Sequence, residues 1–175
     1  MKIYFIRHTS VDVPKGVCYG CSDVPVAPSF RHEAEQVAQK LGGITFDKVY
    51  SSPLSRATLL AQYCGFDHPV IESRISEVDY GRWELRPFAQ IPPDEIQPWY
   101  DNWRYVRPPM GESFHDQYLR VSEFIDELKQ QPYRTVAAFC HGGVLICAAI
   151  YAGLFAFDGE FTRRFDYGDI LTISL

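Results

Sequence analysis

Basic residues are in short supply. Lys and Arg number 17 against 22 Asp and Glu in 175 residues, a formal charge of −5. This excludes a protein whose affinity for nucleic acid or an anionic membrane comes from overall charge, and it confines any anionic ligand to a local basic pocket. Cysteine is sparse and odd in number. Cys18, Cys21, Cys64, Cys140 and Cys147 are too scattered for a disulfide scaffold, so reduced thiols and a cytoplasmic location are expected. No secretory leader is visible, because the apolar start Ile3-Tyr4-Phe5-Ile6 stops at Arg7. Repeats and low-complexity tracts are absent too. What is there is a 46% hydrophobic, 15% aromatic chain, rich enough for a packed core and of a length suited to one domain over 1–175.

One apolar stretch, Val136 to Phe157, is long enough to span a bilayer. His141 inside it is costly in lipid, and Gly142-Gly143 punctuates it. It reads instead as a buried strand, 136–140, and a buried helix from Val144 to Tyr151 ending at Gly153. Elsewhere, Ile3–Ile6, Lys48–Tyr50, Val70–Ile71 and Ile170–Leu175 read as strands. Phe30, Ala34, Val37, Ala38 and Leu41 repeat at helical spacing within 29–41. Ser52 with Pro53 is expected to cap a second helix lined by Leu54, Ala57, Leu60, Ala61 and Cys64. Ser113 to Asp116 has the form of a capping box, followed by Phe114, Tyr118, Val121, Ile125 and Leu128. Alternating strands and helices imply an α/β layered domain with a largely parallel sheet.

Residues 86–110 break this rhythm. They hold six prolines with Trp99, Tyr100, Trp103 and Tyr105. Such an excursion is either packed by its own aromatics or forms a lid over a site, and the two are compatible.

The chemistry-bearing residues sit where strands end or helices begin. Arg7-His8-Thr9 follows the first strand, His141-Gly142-Gly143 follows another, and Arg56 lies in a first helical turn. Ligands of parallel sheets bind beyond the carboxyl ends of strands, and helix N-termini with arginine suit phosphate. An arginine at a positive helix end makes sense where an anion binds nearby.

Five segments, taken in order, carry a resemblance: Phe5-Ile6-Arg7-His8-Thr9, Tyr50-Ser51-Ser52-Pro53-Leu54-Ser55-Arg56-Ala57, Glu77-Val78-Asp79-Tyr80-Gly81-Arg82-Trp83-Glu84, Gly111-Glu112-Ser113 and Cys140-His141-Gly142-Gly143-Val144. Together they resemble the histidine phosphatase superfamily, which includes cofactor-dependent phosphoglycerate mutase. Cys18-Tyr19-Gly20-Cys21-Ser22-Asp23-Val24-Pro25 looks like the α-ribazole phosphatase branch, which acts late in cobalamin biosynthesis. The resemblance implies a phosphoglycerate mutase-like three-layer α/β/α sandwich with a mostly parallel sheet. It implies a phosphomonoesterase that hydrolyses a small phosphorylated metabolite through phosphohistidine, with no metal or other cofactor. His8 would be the nucleophile and Glu77 the proton donor. Arg7, Arg56, His141 and a backbone N–H at Gly142 would hold the phosphate, and Tyr19, Gly20 and Tyr80 would contact substrate.

The chain departs from the family pattern in four places. Thr9 stands where Gly is common, Pro14-Lys15-Gly16 where many members have Asn, Leu85 where Gly usually follows Trp-Glu, and Gly143 where the mutases carry Asn. The last favours hydrolysis over a phosphoglycerate-mutase-type phosphotransferase. A phosphate-binding or partner module without activity is the other alternative, disfavoured by the presence of both His8 and Glu77. Cys18 and Cys21 lack the helix of a redox pair and the second pair of a zinc site, so they read as the flanks of a tight Tyr-Gly turn. His32, His68 and His115 read as surface or capping residues, and Glu112 as a helix-start acid near the site.

Overall fold

The computed structural model describes residues 1–159 and 165–175. The strands are β1 (Lys2–Arg7), β2 (Lys48–Ser51), β3 (Val70–Ile71), β4 (Thr135–Cys140) and β5 (Ile170–Ser174). The helices are α1 (Phe30–Leu41), α2 (Ser55–Tyr63), α3 (Pro93–Asn102), α4 (Phe114–Lys129) and α5 (Gly142–Tyr151). The sheet order is β3-β2-β4-β1-β5, with the first four parallel and β5 antiparallel to β1.

Period-two alternation sorts the strand residues between two faces. Ile3, Phe5, Val136, Ala138 and Cys140 pack with Val121, Phe124 and Ile125 of α4 and Val144, Leu145 and Ala148 of α5. Ile6, Ala137 and Phe139 pack on the other face with Ala34, Val37 and Leu41 of α1 and Ala57, Leu60 and Ala61 of α2. The result is three α/β/α layers. A central strand covered on both sides has no polar face, which is why β4 reads as an unbroken apolar run. Among the described residues, no helix is long and apolar enough to cross a membrane.

Two helix starts differ in kind. At α4 the capping box is complete: Ser113 Oγ accepts from the Asp116 N–H at 3.2 Å, and Asp116 Oδ2 accepts from the Ser113 N–H at 2.8 Å. At α2 the expected Ser52 cap does not form. The helix begins at Ser55, whose N–H reaches Asp23 Oδ1 at 2.8 Å, while Ser52 Oγ lies 2.8 Å from His141 Nε2. Ser52 is drawn into the site instead of the cap.

The proline-rich excursion carries α3 and a third apolar cluster. Cys18, Trp83, Ile91 and Ile96 are buried there with Tyr80, Phe88 and Trp99 against them. Cys18 is therefore a core residue of this cluster. Leu85 sits at its edge with φ 61°, a left-handed conformation that penalises any side chain. This is the position at which the resembled family carries glycine. Leu85 is exposed, so removing its side chain relieves the backbone without opening a cavity. Leu85→Gly is expected to raise unfolding free energy by about 0.5–1 kcal/mol after the added flexibility of the unfolded chain is subtracted. A loss of stability in urea melts would refute this.

Candidate active site

Strand pairing builds the centre. β1 and β4 run parallel with Arg7 opposite Cys140, so the next residue of each strand, His8 and His141, emerges beside the other. Their rings lie 5.1 Å apart. β2 pairs Ser51 with Phe139, which brings Ser52 alongside His141. The Ser52 hydroxyl accepts from the Leu54 N–H at 3.3 Å and keeps its hydrogen and a second lone pair for His141 Nε2.

His8 has a fixed tautomer. Its Nδ1 is 2.7 Å from the Thr9 carbonyl oxygen, which can only accept. The proton is therefore on Nδ1 and the lone pair on Nε2. Burial, then the charge of Arg56, lowers the His8 pKa to about 3. Burial likewise, followed by the proximity of His8 and Arg56, holds His141 well below the ordinary imidazole value. Both rings are neutral near pH 7.

Two guanidiniums supply the positive charge. Arg7 donates to the Phe165 carbonyl at 2.5 Å and lies 4.1 Å from the ring centroid of Tyr167. Arg56 is fully buried and donates to the carbonyls of Gly20 at 2.5 Å and Ser22 at 2.8 Å. Glu84 shapes that loop by accepting the N–H groups of Gly20, Cys21, Ser22 and Tyr80. Gly20 has no room for a side chain, since a Cβ would meet the Val78 carbonyl oxygen at 1.9 Å. Its carbonyl accepts from Arg56, so Gly20 helps to place that arginine. Among the described residues, Arg7 Nε, Arg56 Nε and His141 Nδ1 are buried without a hydrogen-bond partner. The two guanidinium N–H groups among them, beside a neutral imidazole, suit a tetrahedral dianion.

Two cavities adjoin here. One of about 210 Å³ is lined by Arg7, His8, Val17, Tyr19, Glu77, Tyr80 and Phe88. The other, about 240 Å³, shares Tyr19, Glu77 and Tyr80 and continues to Trp99, Trp103, Glu112, Phe114, Gln117 and Gly143. Glu77 stands at their junction. Its Oε1 accepts from the Val78 N–H at 3.0 Å and Gln117 Nε2 at 2.9 Å, and its Oε2 from the Gly143 N–H at 3.1 Å. A Cβ on Gly143 would lie 2.4 Å from Glu77 Oε1, so a side chain there displaces the carboxyl. Gly142 opens α5, and a Cβ there would lie 3.2 Å from Arg7 Nε.

Some expected contacts fall elsewhere. Trp99 and Trp103 line the larger cavity, but Tyr100 is exposed and Tyr105 packs on His115 and Phe157. His32 and His68 are exposed, whereas His115 is half-buried in that aromatic contact. Glu112 lines the larger cavity and is paired with Arg120 at 2.6 Å. Pro14, Lys15 and Gly16 are exposed, and Val17 forms the cavity wall beyond them. The thiols of Cys18 and Cys21 are both pushed up to about 12, chiefly by burial. Cys21 approaches Asp79 and Glu84, but the Glu84 carboxylate is already occupied by four N–H donors. Tyr167, Ser52, Glu84, Gln117 and Arg120 were not anticipated. Ser52 and Glu84 lie within the segments that carry the resemblance, and Gln117 is a polar residue three positions beyond Phe114 on an apolar helical face; Tyr167 and Arg120 left no signal.

His8 is expected to stay neutral from about pH 8 to pH 5, read from its imidazole nitrogen shifts; a midpoint inside that window would refute the assignment. The unfolded chain takes up this proton near pH 6.5 and the folded chain only near 3. The His8 contribution to stability is therefore complete above about 6.5 and is lost as pH falls toward 3.

The profile of the histidine phosphatase superfamily (branch 1) matches residues 3–174. Adenosylcobalamin/alpha-ribazole phosphatase of Escherichia coli K12 is 29% identical over 83% of this chain and 75% of its own length. Phosphoserine phosphatase 1 of Hydrogenobacter thermophilus is 27% identical over 90% of this chain and 78% of its own. The crystal structure of the alpha-ribazole phosphatase from Shigella flexneri superimposes with a TM-score of 0.91 at 25% identity, over 100% of this chain and 91% of that one. With the profile spanning nearly its whole length, this chain belongs to branch 1 of the histidine phosphatase superfamily.

Proposed function

We propose that the protein is a phosphomonoesterase acting through a phosphohistidine at His8 Nε2, on an ester whose alcohol is an uncharged heteroaromatic nucleoside of the α-ribazole 5′-phosphate type. The observation that carries the chemistry is the locked, neutral His8 beside two guanidiniums. In the first step the Nε2 lone pair attacks phosphorus, a P–N bond forms and the ester P–O bond breaks. Glu77 passes its proton to the departing alkoxide oxygen. In the second, water attacks phosphorus, its proton goes to Glu77, and the P–N bond breaks to free phosphate. Arg7 and Arg56 counter the charge on the phosphoryl oxygens through both steps.

The larger cavity supports the choice of alcohol. Its walls offer Trp99, Trp103, Tyr19 and Tyr80, and its charged groups among the described residues are Glu77 and Glu112. Flat rings gain about 0.5–1.5 kcal/mol per well-placed aromatic contact beyond burial. A carboxylate-bearing alcohol such as that of phosphoglycerate or phosphoserine needs a cation instead. Arg104 is held on the carbonyls of Phe157 and Gly159, and Arg107 on Asp116.

Turnover of labelled substrate should leave acid-sensitive phosphate on the protein, and His8→Ala should abolish both label and activity. Full activity in His8→Ala would overturn the mechanism. For specificity, kcat/KM for a ribazole-type 5′-phosphate should exceed that for 3-phosphoglycerate by ~10-fold or more, the equivalent of one or two aromatic contacts. Trp103→Ala should narrow that ratio. Preference for the phosphoglycerate would reject the substrate while leaving the phosphohistidine intact.

A further inference from the structure

Gln117 does not belong on the face it occupies. It lies among Phe114, Val121 and Phe124 of α4, is 1% exposed, and replaces what packing alone would make apolar. Its Nε2 reaches Glu77 Oε1 at 2.9 Å. The same Nε2 faces the Ser76 carbonyl oxygen at 3.5 Å, which can only accept, so the amide nitrogen belongs on this side. The consequence is that Gln117 Oε1 is buried with no hydrogen-bond partner among the described residues. The residue thus weakens the core to which it belongs.

We propose that Gln117 is a positioning residue for Glu77, filling Oε1 so that the transferable proton resides on Oε2. This rests on the phosphohistidine reading, with Glu77 as proton donor. Oε1 already accepts two N–H groups, from Val78 and Gln117, whereas Oε2 accepts one, from Gly143. Each carboxyl oxygen has two lone-pair directions, so Oε2 keeps one for the proton. One backbone donor is Glu77's own neighbour Val78 and the other is Gly143 in the first turn of α5; Gln117 is the side-chain donor that stops the carboxyl's rotation.

The test separates positioning from packing by leaving group. Gln117→Met keeps the length and removes the donor. kcat/KM is measured on 4-nitrophenyl phosphate, whose leaving group needs little protonation, and on 2-phenylethyl phosphate, whose alkoxide needs it. Gln117→Met should lose ~10-fold or more on the alkyl ester and much less on the aryl ester. Its melting temperature should stay level or rise, since a buried unpaired oxygen is removed. Glu77→Gln with Gln117→Met should be no slower on the alkyl ester than Glu77→Gln alone. Equal losses on both esters, a fallen melting temperature with no selective loss, or an additive double variant would overturn the proposal. If Glu77→Gln itself slows both esters alike, the proton-donor reading fails and Gln117 with it. If Glu77→Gln is selective and Gln117→Met is not, only the assignment of Gln117 fails.

Discussion

The site depends on one register. β1 and β4 are parallel neighbours, and their pairing sets Arg7 opposite Cys140. A slip of one residue would turn every side chain to the other face and separate His8 from His141. The register is held by the cores on both faces of the sheet, where alternate residues of the two strands interlock with α4 and α5 or with α1 and α2. The two imidazoles are thus placed by the most buried part of the molecule, and burial in turn keeps them neutral.

Away from the sheet, half-buried carboxylates organise irregular backbone. Glu84 gathers the loop whose carbonyls receive Arg56. Glu112 accepts the Asp79 N–H and pairs with Arg120, which also donates to the carbonyls of Arg74, Ser76 and Glu77. Glu77 lies on a segment with no helix or strand of its own, so Arg120 supplies the rigidity that secondary structure gives to His8. The same acids leave the larger cavity without excess positive charge.

What could be read from the sequence follows from how local each signal is. The β4 strand and α5 are visible because burial on both faces writes a continuous apolar run, although the helix starts at Gly142 and not at Val144. The α4 cap is visible because its four residues are adjacent. The α2 start was misplaced because Ser52 has two uses, and the choice between them is decided by His141, 89 positions away. Tyr167 is invisible for the same reason. Its ring lies over Arg7 and its hydroxyl meets that of Tyr19 at 2.7 Å, contacts that no spacing encodes. The excursion betrayed its aromatic character but not its orientation, which left Tyr100 and Tyr105 indistinguishable from Trp99 and Trp103. Arg7, His8, Arg56, Glu77 and His141 stood out because arginine and histidine at strand ends and helix starts are unusual, and because their motifs resemble a family.

The place of Glu77 between two cavities has a stereochemical consequence. In the proposed mechanism Nε2 is the attacking atom, so phosphorus would be approached from one side and the alcohol would depart on the other, toward Glu77. Water, to use the same carboxyl, must arrive from where the alcohol left. Each displacement inverts phosphorus, and two inversions restore the original handedness, so a chirally labelled phosphoryl group should end with retained configuration. In the proposed mechanism the alcohol must clear the Glu77 side before water can use the same carboxyl, so tight binding in the aromatic cavity would slow hydrolysis of the phosphoenzyme.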